Sequence, residues 1–267
     1  MARPKQAPPR GLIGAAAGGG VSHARFEVDP PLGAHLEHFW SVQWRLEPGV
    51  RLVRQTLPHP CFHVVVEAGR AEVSGVPKAR FTRVLEGAGW AFGAKFRPGA
   101  FRSLLAGPAS AFTGRVVPLA EVLGERKARR YASAITRARD DAQRVALASD
   151  LFAQWLPPAP ADAPLLRSLV GAAMHDRSLT TVEALRARGG LHLRELQRWF
   201  RDAVGVSPKW VIQRYRLHEA LLALEQGQAT VAQLAADLGY ADQAHFARDF
   251  RRVVGVAPSA YAASRGG

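Results

Sequence analysis

The chain has 267 residues, enough to bury a core without metal or disulfide, and at about 150 residues per domain it divides naturally into two. Its one cysteine, Cys61, excludes an intramolecular disulfide and fits a reducing, cytoplasmic home, and no run of roughly 18 apolar residues offers a membrane-spanning helix, so a soluble protein is expected. The net charge of +14 suits an anionic partner, nucleic acid foremost, but the excess is +9 over residues 1–164 and +5 over 165–267, so charge alone does not locate the contact.

Residues 1–22 begin with basic residues and proline and continue with small ones; the apolar stretch is too short and glycine-rich for a secretory signal, and the segment reads as a disordered tail. From about 26 to 105 the pattern has period two. Trp40, Val42, Trp44 and Leu46 alternate with Ser41, Gln43 and Arg45, while Phe62, Val64 and Val66 alternate with His63, Val65 and Glu67. An antiparallel β barrel or sandwich is expected, with the glycines of GWAFGAKFRPGAF, residues 89–101, permitting bulges or corners. Beyond Pro118 the apolar spacing becomes helical and predicts two helices before the proline-rich PPAPADAP at 157–164, which reads as a linker. The expected organisation is an N-terminal β-rich domain with trailing helices, α+β in class, over residues 23–156, and an all-α domain over 165–267.

The second domain repeats itself. TVEALRARGG at 181–190 lies over TVAQLAADLG at 230–239, and after one extra residue in the second turn, Leu196, Arg198, Phe200, Arg201, Val204, Gly205 and Pro208 correspond to Phe246, Arg248, Phe250, Arg251, Val254, Gly255 and Pro258. Each unit reads as helix, glycine-containing turn, helix, so a double helix-turn-helix is expected. Thr180 with Glu183 predicts a capping box on the first helix, and Asp242 a good N-cap on the last recognition helix, where His192 is a poorer equivalent.

Leu196 and Phe200, like Phe246 and Phe250, are spaced i, i+4 and predict the packed stripe. Arg194, Gln197, Arg198 and Arg201 fall on another face, as do Gln243, His245, Arg248, Arg251 and Arg252. One such arginine face is ordinarily just a solvated surface. Its repetition at equivalent positions in two copies favours a major groove, which takes long donors on the side opposite the packing stripe. SPKWVIQRYRLHEALLALEQG, residues 207–227, with Ser as cap, Pro at the first position and Gly at the end, predicts a strut of about 28 Å that could hold two recognition helices roughly one DNA turn apart.

On these motifs, and on LGYADQAHFARDFRRVVGVAPSAY above all, residues 168–261 resemble the DNA-binding domain of the AraC/XylS family of bacterial transcription regulators. The resemblance implies base contacts early in each recognition helix, at Arg194, Gln197 and Arg198 and at Gln243, Ala244, His245 and Arg248. Ala244 departs from the polar residue common there and offers only an apolar contact. The N-terminal half resembles the cupin-like sensor domains that precede this unit in many members, which implies an effector-binding or subunit-contacting role. A transcription factor acting on double-stranded DNA is expected, as monomer or homodimer, with RNA polymerase and a small-molecule effector as further partners, no membrane, no cofactor and no catalysis. The aromatic set Trp40, Trp44, Phe62, Trp90, Phe92 and Phe96 suggests an apolar or aromatic ligand for the barrel.

His59, Cys61 and His63, at i, i+2 and i+4 on an expected strand, could share one face as part of a metal site, as a cupin-like enzyme would need, but packing is the simpler role and no fourth ligand is evident. HPCFHV is also loosely similar to the nucleophile motif of DNA alkyltransferases, with Cys61 as acceptor; Phe62 interrupts the motif and its arginine is missing.

Overall fold

The computed structural model describes residues 12–13, 19–30 and 32–264. Its first half is built from β1 (Leu12–Ile13), β2 (Val21–Phe26), β3 (Leu36–Arg45), β4 (Arg51–Thr56), β5 (His63–Glu67), β6 (Arg70–Ser74), β7 (Phe81–Glu86), β8 (Ala88–Phe96) and β9 (Val116–Pro118). These form two antiparallel sheets, of order β1-β4-β7 and β2-β3-β8-β5-β6-β9, rather than one closed barrel. The β5–β6 hairpin turns on Ala68 (φ 49°) and Gly69 (φ 77°), two left-handed residues in a row, which matches the twist of the flanking strands. Two stretches of the expected tail are strand instead: Leu12 and Ile13 pair with Thr56 and Gln55, and β2 starts at Val21. Residues 1–11 and 14–18 of that tail lie outside the described residues.

The alternation along β3 and β5 is present, with its deeper side on Phe39, Ser41, Val64 and Val66. Trp40 and Trp44 are half-buried on the opposite face, their indoles lying over Gly93 and Gly89 of β8, where any Cβ would collide with the rings. Two glycines four residues apart thus let two indoles lie flat on the sheet. Of the six aromatic residues expected to line a ligand site, Phe62, Phe92 and Phe96 are core instead, each no more than 2% exposed, because they fill the space between the sheet and the helices beyond it.

After Pro118 come α1 (Ala120–Leu123), α2 (Glu125–Arg137) and α3 (Asp141–Trp155), the last capped by Asp140, whose carboxylate accepts from Gln143 N at 2.8 Å. Residues 156–162 carry no helix or strand, and α4 (Ala163–His175) starts inside the segment read as linker. The linker is not a break in the packing. One hydrophobic core runs from Phe39 and Phe92 through Phe96, Phe101 and Phe152 to Leu166, Phe200, Val204 and Ile212. A second core of Leu217, Leu221, Leu234, Phe246, Phe250 and Val254 takes in Leu57 from the sheet side. At about 1.5–3 kcal/mol for each fully buried large side chain, the helical half leans on the sheet half for a substantial part of its stability. No helix among the described residues is long and apolar enough to cross a membrane.

Candidate nucleic-acid interface

The helical half continues with α5 (Val182–Gly189), α6 (Leu193–Trp199), α7 (Pro208–Glu225), α8 (Val231–Asp237), α9 (Gln243–Val254) and α10 (Pro258–Ala263). Two units of the same construction emerge. The first helix of each starts on an equivalent threonine: Thr181 Oγ1 accepts from Ala184 N at 3.1 Å, and Thr230 Oγ1 from Gln233 N at 3.2 Å. The cap is therefore Thr181, not the expected Thr180, and the reciprocal capping box closes in the second unit, between Thr230 and Gln233. Glu183 is drawn away from the cap by Arg186, whose Nε donates to it at 2.8 Å. Gly190 (φ 63°) and Gly239 (φ 69°) then reverse the chain in the left-handed region, where a side chain is strained.

Asp242 caps α9 by accepting from His245 N at 2.6 Å, while His192 stands at the start of α6 without a side-chain cap. Leu196, Phe200, Phe246 and Phe250 are each 0% exposed and anchor the two second helices, as their spacing predicts. The helices end differently: α6 runs on as a π turn over Phe200–Val204, Gly205 N donating to Phe200 O at 2.9 Å, whereas Gly255 N closes α9 on Arg251 O at 2.8 Å. Ser207 caps the strut α7 with Pro208 in its first turn; its 18 residues, at about 1.5 Å each, make it about 27 Å long.

Arg194, Gln197, Arg198 and Arg201 are all exposed on the first recognition helix, and Gln243, Ala244, His245, Arg248 and Arg251 on the second. The His245 ring also meets the edge of Tyr240, at 5.3 Å between centroids. None of the five arginines has an ion pair or hydrogen-bonded acceptor for its guanidinium among the described residues, whereas Arg186, Arg188 and Arg252 are tied to Glu183, Asp176 and Asp249. Exposed donors left without an internal acceptor, at equivalent places of two helices, are what phosphates or base edges would engage.

Arg252 thus leaves the group of free arginines. Asp249, buried at 7% exposure, also accepts from Tyr240 Oη at 2.9 Å, and burial beside that carboxylate raises the tyrosine pKa. This buttress of the turn against α9 was missed in the sequence, where an aspartate three residues after Phe246, on the stripe of Phe250 and Val253, was its visible sign. In the first unit Asp202, equivalent to Arg252, instead accepts from Arg102 of the sheet half at 3.0 Å. Further ties to the sheet half come from Arg214 of α7, which stacks on Trp210 and donates to Lys78 O at 3.2 Å, its burial lowering its pKa to about 10.

The His59, Cys61 and His63 set does not assemble. Only His63 lies in β5; it accepts from Trp40 Nε1 at 3.1 Å, and its Nε2 lies 3.5 Å from Cys61 Sγ. His59 precedes the strand and faces the His218 ring of α7 at 4.6 Å. Among the described residues no three His, Cys, Asp or Glu side chains are grouped to hold a metal ion. Burial pushes the Cys61 thiol up to about 12, the reverse of what an alkyl-accepting thiolate needs.

A helix-turn-helix domain family matches residues 185–264, and a domain of unknown function, DUF6597, matches residues 24–118. The HTH-type transcriptional activator RhaS of Escherichia fergusonii is 33% identical over 84 residues, 32% of this chain and 30% of RhaS. The HTH-type transcriptional regulator MtrA of Neisseria gonorrhoeae is 28% identical over 80 residues, 30% of this chain and 27% of MtrA. An uncharacterized HTH-type transcriptional regulator of Haemophilus influenzae is 27% identical over 118 residues, 44% of this chain and 40% of that protein. The chain thus spans less than half the length of these curated relatives. Among solved structures, ToxT of Vibrio cholerae aligns over 86% of this chain and 98% of its own, at 12% identity and a TM-score of 0.42.

Proposed function

We propose that the chain is a sequence-specific DNA-binding transcription regulator of the AraC/XylS type, whose α6 and α9 read two successive major-groove segments. Arg194, Gln197, Arg198 and Arg201 serve the first segment, and Gln243, Ala244, His245, Arg248 and Arg251 the second. The observation that carries this reading is the matched pair Arg198 and Arg248. Each stands between two fully buried anchors of its helix, each is exposed, and each lacks an internal acceptor among the described residues. The sheet half acts as sensor or subunit contact, with a small molecule and RNA polymerase as further partners in the cytoplasm, and no reaction is assigned to the chain.

The test is selection of bound duplexes from a random pool by the full chain, followed by footprinting at several salt concentrations. Two protected segments about one helical turn apart, with affinity falling steeply as salt rises, are the expected result. Binding that neither protects a defined sequence nor responds to salt would overturn the reading.

A further inference from the structure

An open groove of about 990 Å³ lies at the end of the larger sheet, where β2, β3 and β8 meet the turn between α2 and α3. Nothing in the DNA-binding reading uses it, and its volume falls in the range of small-molecule sites. Trp90 brings aromatic surface to it, and Arg45, Arg139 and Arg144 share its lining with two carboxylates, Asp140 and Asp141. Such a mixture could take an aromatic cation as readily as an anion, so the occupancy of each group decides.

Both carboxylates are already engaged. Asp141 accepts from Ser41 Oγ at 2.6 Å, from Gln43 Nε2 at 3.3 Å and from Arg144 Nη1 at 2.6 Å, and Asp140 caps α3. One face of the Trp90 ring is likewise taken, by the Arg144 guanidinium at 4.2 Å from its centroid. A cationic ligand therefore finds its natural partners occupied. The donors stand otherwise: among the described residues neither the Arg45 nor the Arg139 guanidinium has an acceptor, and Arg144, 8% exposed, keeps its Nε buried without one. The Trp44 indole takes no part in the groove: it is laid over Gly89 on the opposite face of the sheet, its Nε1 donating to Glu86 O at 3.1 Å.

We propose that this groove is a binding site for a planar aromatic carboxylate, the ring lying against Trp90 and the carboxylate between Arg45 and Arg139, near Arg144. Guanidinium pairs a planar carboxylate through two parallel hydrogen bonds, and indole surface favours a flat apolar body. In naming where and what an effector binds, the assignment rests on the regulatory reading for its consequence but not for its existence, since binding is measured without DNA.

The test is calorimetric titration of the full chain with indole-3-carboxylate and with its neutral amide, repeated on an Arg45→Ala/Arg139→Ala double variant. Both arginines are exposed, so the variant should keep the parent's melting temperature, which is checked first. One-to-one binding of the carboxylate is expected, at least about tenfold weaker for the amide and weakened at least about tenfold by the double substitution. No binding of the carboxylate, equal binding of the amide, or binding indifferent to the loss of both arginines would each overturn the assignment. All three outcomes leave DNA affinity, measured separately, free to stand or fall alone.

Discussion

Thr113, in the sheet half, donates its hydroxyl to the Gly205 carbonyl at 2.5 Å, and the second unit is held one residue short of the matching place, where the Arg80 guanidinium donates to Val254 O. Both recognition helices therefore rest on the sheet half by their C-terminal ends, leaving the early residues of each helix exposed. Gly205 (φ 94°) and Gly255 (φ 93°) lie in the left-handed region, and at Gly255 an added Cβ would fall into the Arg80 guanidinium. Gly255→Ala is expected to lower stability by about 1–3 kcal/mol from the backbone alone, with the collision added. Arg80→Ala removes the collision and the hydrogen bond together, so in the double variant the glycine substitution should cost less than it does alone. Urea denaturation of the four proteins measures this, and strictly additive costs would contradict the contact.

The shared core leads to a second expectation. A fragment of residues 163–267 keeps the second core except for what the sheet half supplies, Leu57 in particular, but strips Phe200, Val204 and Leu166 of their neighbours across the linker. Amide exchange should show α5 and α6 opening far more readily in the fragment than in the full chain, with α9 less affected. Equal protection of both units would mean that the continuous core contributes little.

The repeat was legible because two copies of one spacing are hard to produce by accident, and the anchors Leu196, Phe200, Phe246 and Phe250 follow directly from i, i+4 periodicity. The position of the first cap was not, since Thr180 and Thr181 differ by a single residue and only the backbone decides which is extended. Thr113, Arg80 and Arg102 could not be read at all: their partners lie 92, 174 and 100 residues away, and no local period marks such a contact. The expected face of His59, Cys61 and His63 failed for a local reason, because Pro58 and Pro60 delay β5 until His63.

The caps give a matched set of substitutions. Thr181→Ala should cost about 0.5–2 kcal/mol and Thr180→Ala distinctly less, because only Thr181 satisfies an orphan amide of α5. His192→Ser should instead stabilise, by up to about 1 kcal/mol, since it supplies the cap that α6 lacks. Thermal melts rank the three; a larger loss at Thr180 would contradict the assigned helix start.

His63 predicts a pH dependence. Burial first, then the nearby Lys95 and His38, push its pKa down to about 3, so the folded protein keeps it neutral where an unfolded chain with the ordinary value of about 6.5 takes up a proton. The stability this group contributes is present above about pH 6.5 and lost as pH falls toward 3, with a slope approaching 1.4 kcal/mol per pH unit for the one proton. His23, His35 and His38 are shifted the same way, so the difference from a variant isolates the effect. His63→Asn, which keeps an acceptor near Trp40, should lose less stability between pH 7 and about 5; parallel curves would show that His63 titrates normally when folded.

Arg198 and Arg248 carry the sharpest expectation for DNA. If each guanidinium reads a guanine edge, Arg198→Ala and Arg248→Ala should each cost about 1–3 kcal/mol on the selected operator and relax preference at one base pair. A phosphate contact would instead weaken binding to all sequences alike and reduce the salt slope by about one unit. Neither substitution should disturb folding, because both side chains are exposed and make no ion pair among the described residues. The relaxed positions should lie about one helical turn apart, and since the two helices have separate anchors in separate cores, the costs should be nearly additive. Binding of both single variants and the double variant to operator and scrambled duplexes measures all of this. Folded single variants with undiminished operator affinity would refute the two-helix reading, and relaxation at the same base pair in both would show that α6 and α9 do not read separate groove segments.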